Sequence, residues 1–377
     1  MNLEFSVYRQ ALAGALGHMQ SIIEKRNTLP ILSNVKIDAA AAGLTLTATN
    51  VDLELVENVV ADVTHGGAIT IPVQTFYDVV RKLPEDAEIK VKLSDTGDLV
   101  VSSGRSVFKF QTMPADNFPS MVAPSAVVKF TMNTDDLARL VNQTKFAIPT
   151  DDVRYHLGGI FLHINDDGKL TAVATDSQRL ALCSIAAPAG SEKMPSVILP
   201  RRLVSEVSSL LSDVKVDDVE VELSDTKVRF TIGNAVMTSK LVEAQFPNYK
   251  IVIPKSNEKI ATLDTKRFIR AIDLVAAASN DKTKTVQLAF SMNKLTASVS
   301  SKDDGNAVAG TEEMDIEYNS DDSFNISFNL RFLMDVSNQV DGGDKMQMAM
   351  QDALAPTLIK SSSKDTDSMF ILMPMRV

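Results

Sequence analysis

Apolar and polar residues alternate over short runs of this chain, and at six places the spacing changes from two to between three and four. Ile89-Lys90-Val91-Lys92-Leu93 and Val219-Glu220-Val221-Glu222-Leu223 place every apolar side chain on one face, the signature of a strand with one wet side. Ser94-Asp95-Thr96-Gly97 and Asn165-Asp166-Asp167-Gly168 supply the turns between such strands. The other spacing predicts helices. Leu12, Leu16, Met19 and Ile23 fall on one helical face, as do Phe76, Val79, Val80 and Leu83. Leu137, Leu140 and Val141 form a third stripe, and Leu203, Val207 and Leu210 a fourth. Phe268, Ile272 and Val275, then Leu333, Val336 and Val340, complete the set. Pro72 and Pro200 stand at the entries of two of these helices, where a missing amide hydrogen costs little.

The pattern repeats at a domain-sized period. Phe5-Ser6-Val7, Phe130-Thr131-Met132 and Ala261-Thr262-Leu263 open equivalent segments, and Leu44-Thr45, Leu170-Thr171 and Leu295-Thr296 recur at matching places. So do Ile69-Thr70-Ile71-Pro72, Val197-Ile198-Leu199-Pro200 and Ile326-Ser327-Phe328-Asn329. A period far longer than that of solenoid repeats predicts three similar domains in a row. Each splits into two half-repeats of strand, helix and short strands. The expected class is α+β, with six helices and six small antiparallel strand sets. Phe118-Pro119 and Phe246-Pro247 punctuate the boundaries, which places the domains at 1–125, 126–255 and 256–377.

At 377 residues the chain exceeds one ordinary core and suits three. A lone cysteine, Cys183, argues against a disulfide framework, and no apolar run approaches the roughly 18 residues of a membrane span. The Met1-Asn2-Leu3-Glu4 start lacks the features of a signal peptide, so a cytoplasmic location is expected. The net charge of −10 argues against nucleic acid as a partner. Its distribution argues the other way. The six helical segments hold thirteen basic residues, Arg9, Lys25, Arg26, Arg81, Lys82, Arg139, Lys145, Arg201, Arg202, Lys266, Arg267, Arg270 and Arg331, against seven acidic ones. A basic helical surface in an otherwise acidic chain would confine a polyanion to the helices.

Several strings resemble the bacterial sliding-clamp family, the beta subunits of DNA polymerase III. They are Thr28-Leu29-Pro30-Ile31-Leu32-Ser33-Asn34, Ser103-Gly104-Arg105-Ser106, Asp152-Val153-Arg154-Tyr155, Ala174-Thr175-Asp176-Ser177-Gln178-Arg179-Leu180-Ala181, Thr238-Ser239-Lys240-Leu241-Val242 and Met373-Pro374-Met375-Arg376-Val377. The resemblance runs end to end. It implies a head-to-tail homodimer closed into a ring, with helices inside and sheets outside, that encircles double-stranded DNA without sequence specificity and tethers the replicative polymerase. Helix dimensions favour two chains over one: six helices in a circle leave a hole of roughly 7 Å, whereas twelve leave roughly 24 Å, wide enough for a duplex.

The resemblance also implies site residues. Arg26, Gln74, Arg81, Asp151, Tyr155, His156, Arg201, Arg202, Lys266, Arg267 and Arg270 would face DNA. Gln74, Asp151 and His156 depart from the side chains usual there. A pocket for short peptides of the clamp loader, the polymerase alpha subunit and repair proteins would comprise Leu157, Thr175, Ser177, Gln178, Leu180, Pro247, Ile251, Val252, Ile371, Met373, Pro374, Met375 and Arg376. Arg154 and Arg179 would orient peptide carboxylates or backbone there, and flexible methionines suit varied ligands. For the ring seam, the Arg105 to Gln111 strand is expected to pair with the third domain near Ala277 and Ala278. Phe108 and Phe110 would supply apolar contact, and Arg105 and Lys109 would face Glu312 and Glu313.

Two other classes compete. An enzyme is disfavoured because His18, His65, His156 and His163 lack metal-ligand spacing, no Gly-Lys-Ser phosphate loop occurs, and Cys183 lies in an apolar run. Asp217-Asp218, Asp303-Asp304 and Asp321-Asp322 read as solvated turns. No metal and no cofactor are expected. A peptide-binding scaffold that ignores DNA would suit the net charge.

Overall fold

The computed structural model describes residues 3–24, 29–125, 128–151, 153–279, 284–303, 306–340, 344–363 and 367–376. Among these, six α-helices occur where the spacing predicts them: α1 (Arg9–Ile22), α2 (Val73–Val80), α3 (Thr134–Thr144), α4 (Arg201–Asp213), α5 (Thr265–Ala276) and α6 (Leu330–Ser337). The buried face of α1 is Leu12, Ala15, Leu16, Met19 and Ile22; Ile23, expected on that face, lies just past the helix end. α2 and α6 stop before Leu83 and Val340. Leu83 precedes Pro84, which disfavours helical geometry, and Val340 precedes Asp341-Gly342-Gly343, a helix-terminating composition. Pro72 and Pro200 are the last residues of strands, one position ahead of the helices they introduce.

Among the described residues the strands form four antiparallel sheets rather than the six sets expected. The chain divides into two compact units. The first comprises Met1–Leu137, Pro188–Pro195 and Arg202–Leu241. It holds a five-stranded sheet ordered Asp62–His65, Glu4–Tyr8, Glu88–Leu93, Asp98–Ser103, Ser106–Gln111. It also holds a nine-stranded sheet in which Leu53–Val59, from the first repeat, pairs with Ala235–Lys240, from the second. The second unit comprises Ala138–Ala187, Ser196–Arg201 and Val242–Val377. Its nine-stranded sheet joins Arg179–Ala186 to Ser368–Leu372, and its four-stranded sheet runs Asn306–Asp315, Lys294–Asp303, Thr285–Ser291, Phe324–Asn329.

The merging has a simple cause. A strand set ending in an open edge exposes a row of unpaired N–H and C=O groups. Glu54↔Thr238 and Leu55↔Met237 in one sheet, and Leu180↔Ile371 and Ala181↔Phe370 in the other, satisfy those rows by pairing one repeat with the next. The unit boundary therefore falls within the central repeat. The linker between the first two repeats is strapped over the first seam: the Met121 amide donates to the buried Glu54 carboxylate at 2.9 Å, and Lys227 Nζ donates to the Val122 carbonyl at 3.0 Å.

Candidate functional site

A groove of about 240 Å³ opens on the second unit. Its walls are Leu157, Thr175, Ser177, Gln178, Arg179, Leu180, Pro247, Asn248, Tyr249, Ile251, Val252, Ile371 and Met373. Leu157, Leu180, Tyr249 and Ile371 belong to a buried cluster with Val173, Leu182, Ile198 and Phe246, so the floor is the sheet core itself. The rim is apolar and exposed, with Ile251 at 79%, Val252 at 44% and Met373 at 40%. Contiguous exposed apolar surface of this kind marks a binding site more often than chance exposure.

The wall nearest the turn after Lys169–Thr175 is rigid. Asp176 accepts from the amides of Gln178 and Arg179 at 3.0 Å each, and Thr175 Oγ1 donates to the Arg179 carbonyl at 2.7 Å. This holds Ser177 at φ +76°, a conformation that costs a non-glycine residue about 1 kcal/mol or more. The Met373 amide donates to the Gln178 carbonyl at 2.9 Å, which fixes the opposite lip. Pro374, Met375 and Arg376, expected in the pocket, do not line it. The Met375 amide instead donates to the Ser327 carbonyl at 2.7 Å, drawing the tail onto the neighbouring sheet.

The two arginines expected to receive a ligand are otherwise engaged. Arg179 is 9% exposed. Its Nε donates to Asp176 at 3.0 Å, one terminal nitrogen to Asp335 at 2.6 Å and the other to the Phe146 carbonyl at 2.7 Å. The guanidinium also lies over Phe146 and Phe332, at 5.1 and 4.3 Å from the ring centroids. It is a structural clamp that also forms part of the groove wall. Arg154 does not line the groove. It pairs with Asp151 at 2.5 Å and donates to the Asp176 carbonyl at 2.5 Å, walling an adjacent cavity of about 340 Å³ with Arg331 and Phe332. The Arg154 guanidinium holds the Asp151 carboxyl below the usual carboxylate range.

Sequence reasoning missed the aromatic support beneath the groove. Phe246-Pro247-Asn248-Tyr249 reads as boundary punctuation, yet Phe246 stacks on Phe161 at 4.8 Å with rings nearly parallel, and Tyr249 forms the floor. His163 stacks on Phe161 from the same strand, with centroids 4.6 Å apart. Its Nδ1 lies 3.0 Å from the Ile164 carbonyl, which can only accept, so this nitrogen carries the hydrogen and Nε2 accepts from the Tyr249 hydroxyl at 3.0 Å. Burial, with the nearby Lys250 charge as a smaller cause, pushes the His163 pKa down. A histidine with a depressed folded pKa leaves stability intact above the ordinary value and subtracts from it as the unfolded chain binds a proton that the folded chain refuses. The part of the urea midpoint that depends on His163 should therefore fall from about pH 7.5 to about pH 5, and His163→Asn should remove that part of the pH slope. Equal slopes in both proteins would refute the assignment.

The residues expected to face DNA separate into two groups. Lys266, Arg267 and Arg270 lie on the exposed face of α5, opposite Phe268 and Ile272. Tyr155 is exposed, half-buried His156 meets its ring edge-on at 5.9 Å, and Arg201 is exposed while donating to the Pro149 carbonyl at 3.3 Å. Arg81 is exposed, paired with Asp78 at 2.8 Å. Others are committed within the protein. Gln74 bridges Gln20 and Asp78 at 2.7 and 3.1 Å. Arg202 caps α1, donating to the Ser21 and Ile22 carbonyls at 2.8 and 2.9 Å, because helix C-termini present unsatisfied carbonyls at the negative end of the dipole. Asp151 is held by Arg154. Arg26 lies outside the described residues.

Each end sheet has an unpaired edge among the described residues, Ser106–Gln111 in the first unit and Asn306–Asp315 in the second. On the first edge Arg105 and Lys109 are exposed, but Phe110 turns inward, packing edge-on against Phe76 at 5.5 Å, and Phe108 is half-buried. Strand alternation puts Val107, 60% exposed, on the accessible face instead. Beside the second edge Ala277 is exposed, and Ala278 is half-buried with its carbonyl accepting from Ser301 at 2.8 Å. Glu313 pairs with Lys294 at 2.7 Å and Glu312 is half-buried. Leu274 on α5, 60% exposed, was not singled out by its helical spacing. Its exposure beside two alanines is a tertiary fact.

Among the described residues no group of acidic, histidine or cysteine side chains is arranged to hold a metal, and no helix is long and apolar enough to cross a membrane. Sequence profiles of the DNA polymerase III beta subunit match throughout: the N-terminal domain over residues 3–122, the central domain over 131–248 and the C-terminal domain over 250–376. The beta sliding clamp of Caulobacter vibrioides is 39% identical over the whole of both chains, and that of Escherichia coli 33% identical over the same extent. A crystal structure of the sliding clamp of Bartonella birtlesii bound to griselimycin superimposes with a TM-score of 0.94 at 38% identity, covering both chains fully. With three repeats, four antiparallel sheets, six helices and end-to-end similarity all concordant, the chain belongs to the DNA polymerase III beta subunit family of sliding clamps.

Proposed function

We propose that two copies of this chain close head to tail into a ring around double-stranded DNA, the Ser106–Gln111 edge of each pairing with the Asn306–Asp315 edge of the other. The strand count carries the reading. Among the described residues, both sheets that join successive repeats have nine strands, whereas the end sheets have five and four. Joining a five-stranded end to a four-stranded end would make a third nine-stranded sheet and leave neither of these edges open. An interface that uses different surfaces on its two sides closes when the rotation returns on itself. Val107, Leu274 and, on the second edge itself, Val308 are exposed apolar residues available to such a seam, with Arg105 and Lys109 opposite the Glu312 side. The domains of this reading run 1–125, 126–255 and 256–377.

The chain is a non-catalytic processivity clamp of replication, as its family is. In the ring reading, retention is topological. Lys266, Arg267, Arg270, Arg201, Arg81 and Tyr155 would hold the duplex through phosphates, weakly and without reading bases, so that the ring slides. The groove at Leu157, Leu180, Tyr249, Ile251, Val252 and Met373 would take short apolar peptide segments of the polymerase, the clamp loader and repair proteins. The test is retention after loader-dependent assembly on nicked circles. The clamp should survive a wash at about 0.5 M salt on circles and be lost within minutes of linearisation. Equal loss from both would exclude a ring, and no association with either would favour a peptide scaffold.

A further inference from the structure

α1 meets α4 in the first unit across a cavity of about 430 Å³ rather than through interlocking side chains. Ala13, Gly14 and Gly17 on α1 are too small to fill the space, and Tyr77 of α2 and Leu210 and Met237 close its sides. Polar contacts hold the two helices together. At the first turn of α4, Arg202 caps the Ser21 and Ile22 carbonyls, and Ser21 donates to Glu206. At the other end of α4, Asp213 lies 3.4 Å from Nε2 of His18. The second nitrogen of His18, Nδ1, lies 2.9 Å from the buried Glu57 carboxylate of the strand Leu53–Val59.

Both ring nitrogens of His18 thus face carboxylates. A carboxylate accepts and does not donate, so both nitrogens need a hydrogen, and only the imidazolium has two. We propose that this junction is a proton-operated latch: charged His18 bridges Glu57 and Asp213 and holds α1 to α4, and loss of its proton frees the Asp213 end while Arg202 remains as the pivot. The Glu57 hydrogen bond raises the His18 pKa against the effect of burial. A raised folded pKa means the latch is fully closed below the ordinary histidine value and opens as pH rises through the raised one. The groups facing His18 are Glu57 from the strand and Asp213 from α4; Glu206 from α4 and Tyr77 from α2 line the same cavity. Since α1 belongs to the first repeat and α4 to the second, the latch sets how stiffly the two repeats are joined. This inference does not depend on ring closure.

The full chain carrying spin labels at Gln10→Cys and Ser212→Cys, both exposed positions, tests it. The interlabel distance distribution should be narrow at about pH 6 and longer and broader at about pH 9, with a midpoint matching His18 titration followed by NMR. Asp213→Asn removes only a half-exposed carboxylate and should move both midpoints to lower pH together. A distribution unchanged between these pH values, or a midpoint that stays put while that of His18 moves, would overturn the proposal.

Discussion

Lys109→Pro should turn the proposed dimer into monomers. The strands Asp98–Ser103 and Ser106–Gln111 pair from Ser103↔Ser106 to Asp98↔Gln111 across the two-residue turn Gly104-Arg105. In such a hairpin the closing pair exchanges hydrogen bonds and the bonded pairs then alternate, so Phe108 and Phe110 bond inward while Val107, Lys109 and Gln111 present their N–H and C=O outward. A proline at 109 removes an outward donor and leaves the internal ladder intact. Against a partner strand it costs a hydrogen bond and adds a steric block, together about 3 kcal/mol or more, or at least about 100-fold in dimer dissociation constant. Sedimentation should show monomers at about micromolar concentration with the thermal midpoint little changed, and retention on circular DNA should vanish. An intact dimer with Lys109→Pro would place the seam elsewhere.

Arg179→Ala should be the most destabilising single change in the second unit. It strands Asp176 and Asp335, removes a donor from the Phe146 carbonyl and takes a cation from between two aromatic rings. Breaking a buried, multiply bonded charge leaves partners without compensation and costs about 3–5 kcal/mol. At about 2–4 °C per kcal/mol for a unit of this size, the midpoint should fall by roughly 6–20 °C. Because Asp176 also organises the turn that carries Ser177 and Gln178, affinity of the groove for peptide should fall in the surviving folded fraction. Arg179→Lys keeps the charge but lacks the planar fork, and should recover less than half of the loss. A shift below about 2 °C for Arg179→Ala would show that the surrounding groups rearrange freely.

The helices were legible because each buries one stripe against its own sheet, and a stripe is a local property. Leu203, Val207 and Leu210 show this, as do Phe268, Ile272 and Val275, all buried as their spacing requires. The groove was legible in outline. The residues Leu157, Thr175, Ser177, Gln178, Leu180, Pro247, Ile251, Val252, Ile371 and Met373 do come together. Tyr249 fell inside the 247–252 stretch expected at the pocket but was not singled out as its floor, since nothing local distinguishes a tyrosine under a groove from one in a linker. Its role depends on His163, 86 residues earlier.

Periodicity, repeat spacing and the family strings were enough to establish the α+β class, the threefold construction, the helix positions and the family, because each depends on short-range order or on residue identity alone. The commitments of the charged side chains were settled only by tertiary structure. Arg179 and Arg154, alike as cationic candidates in the sequence, became clamps; Arg202 became a helix cap; Arg267 and Arg270 stayed exposed. The fusion of six strand sets into four sheets was likewise decided in three dimensions. The reason is common to both. A guanidinium or a strand edge is satisfied by whichever acceptor or backbone row the fold brings within about 3 Å, and that neighbour is often more than a hundred residues away in the chain.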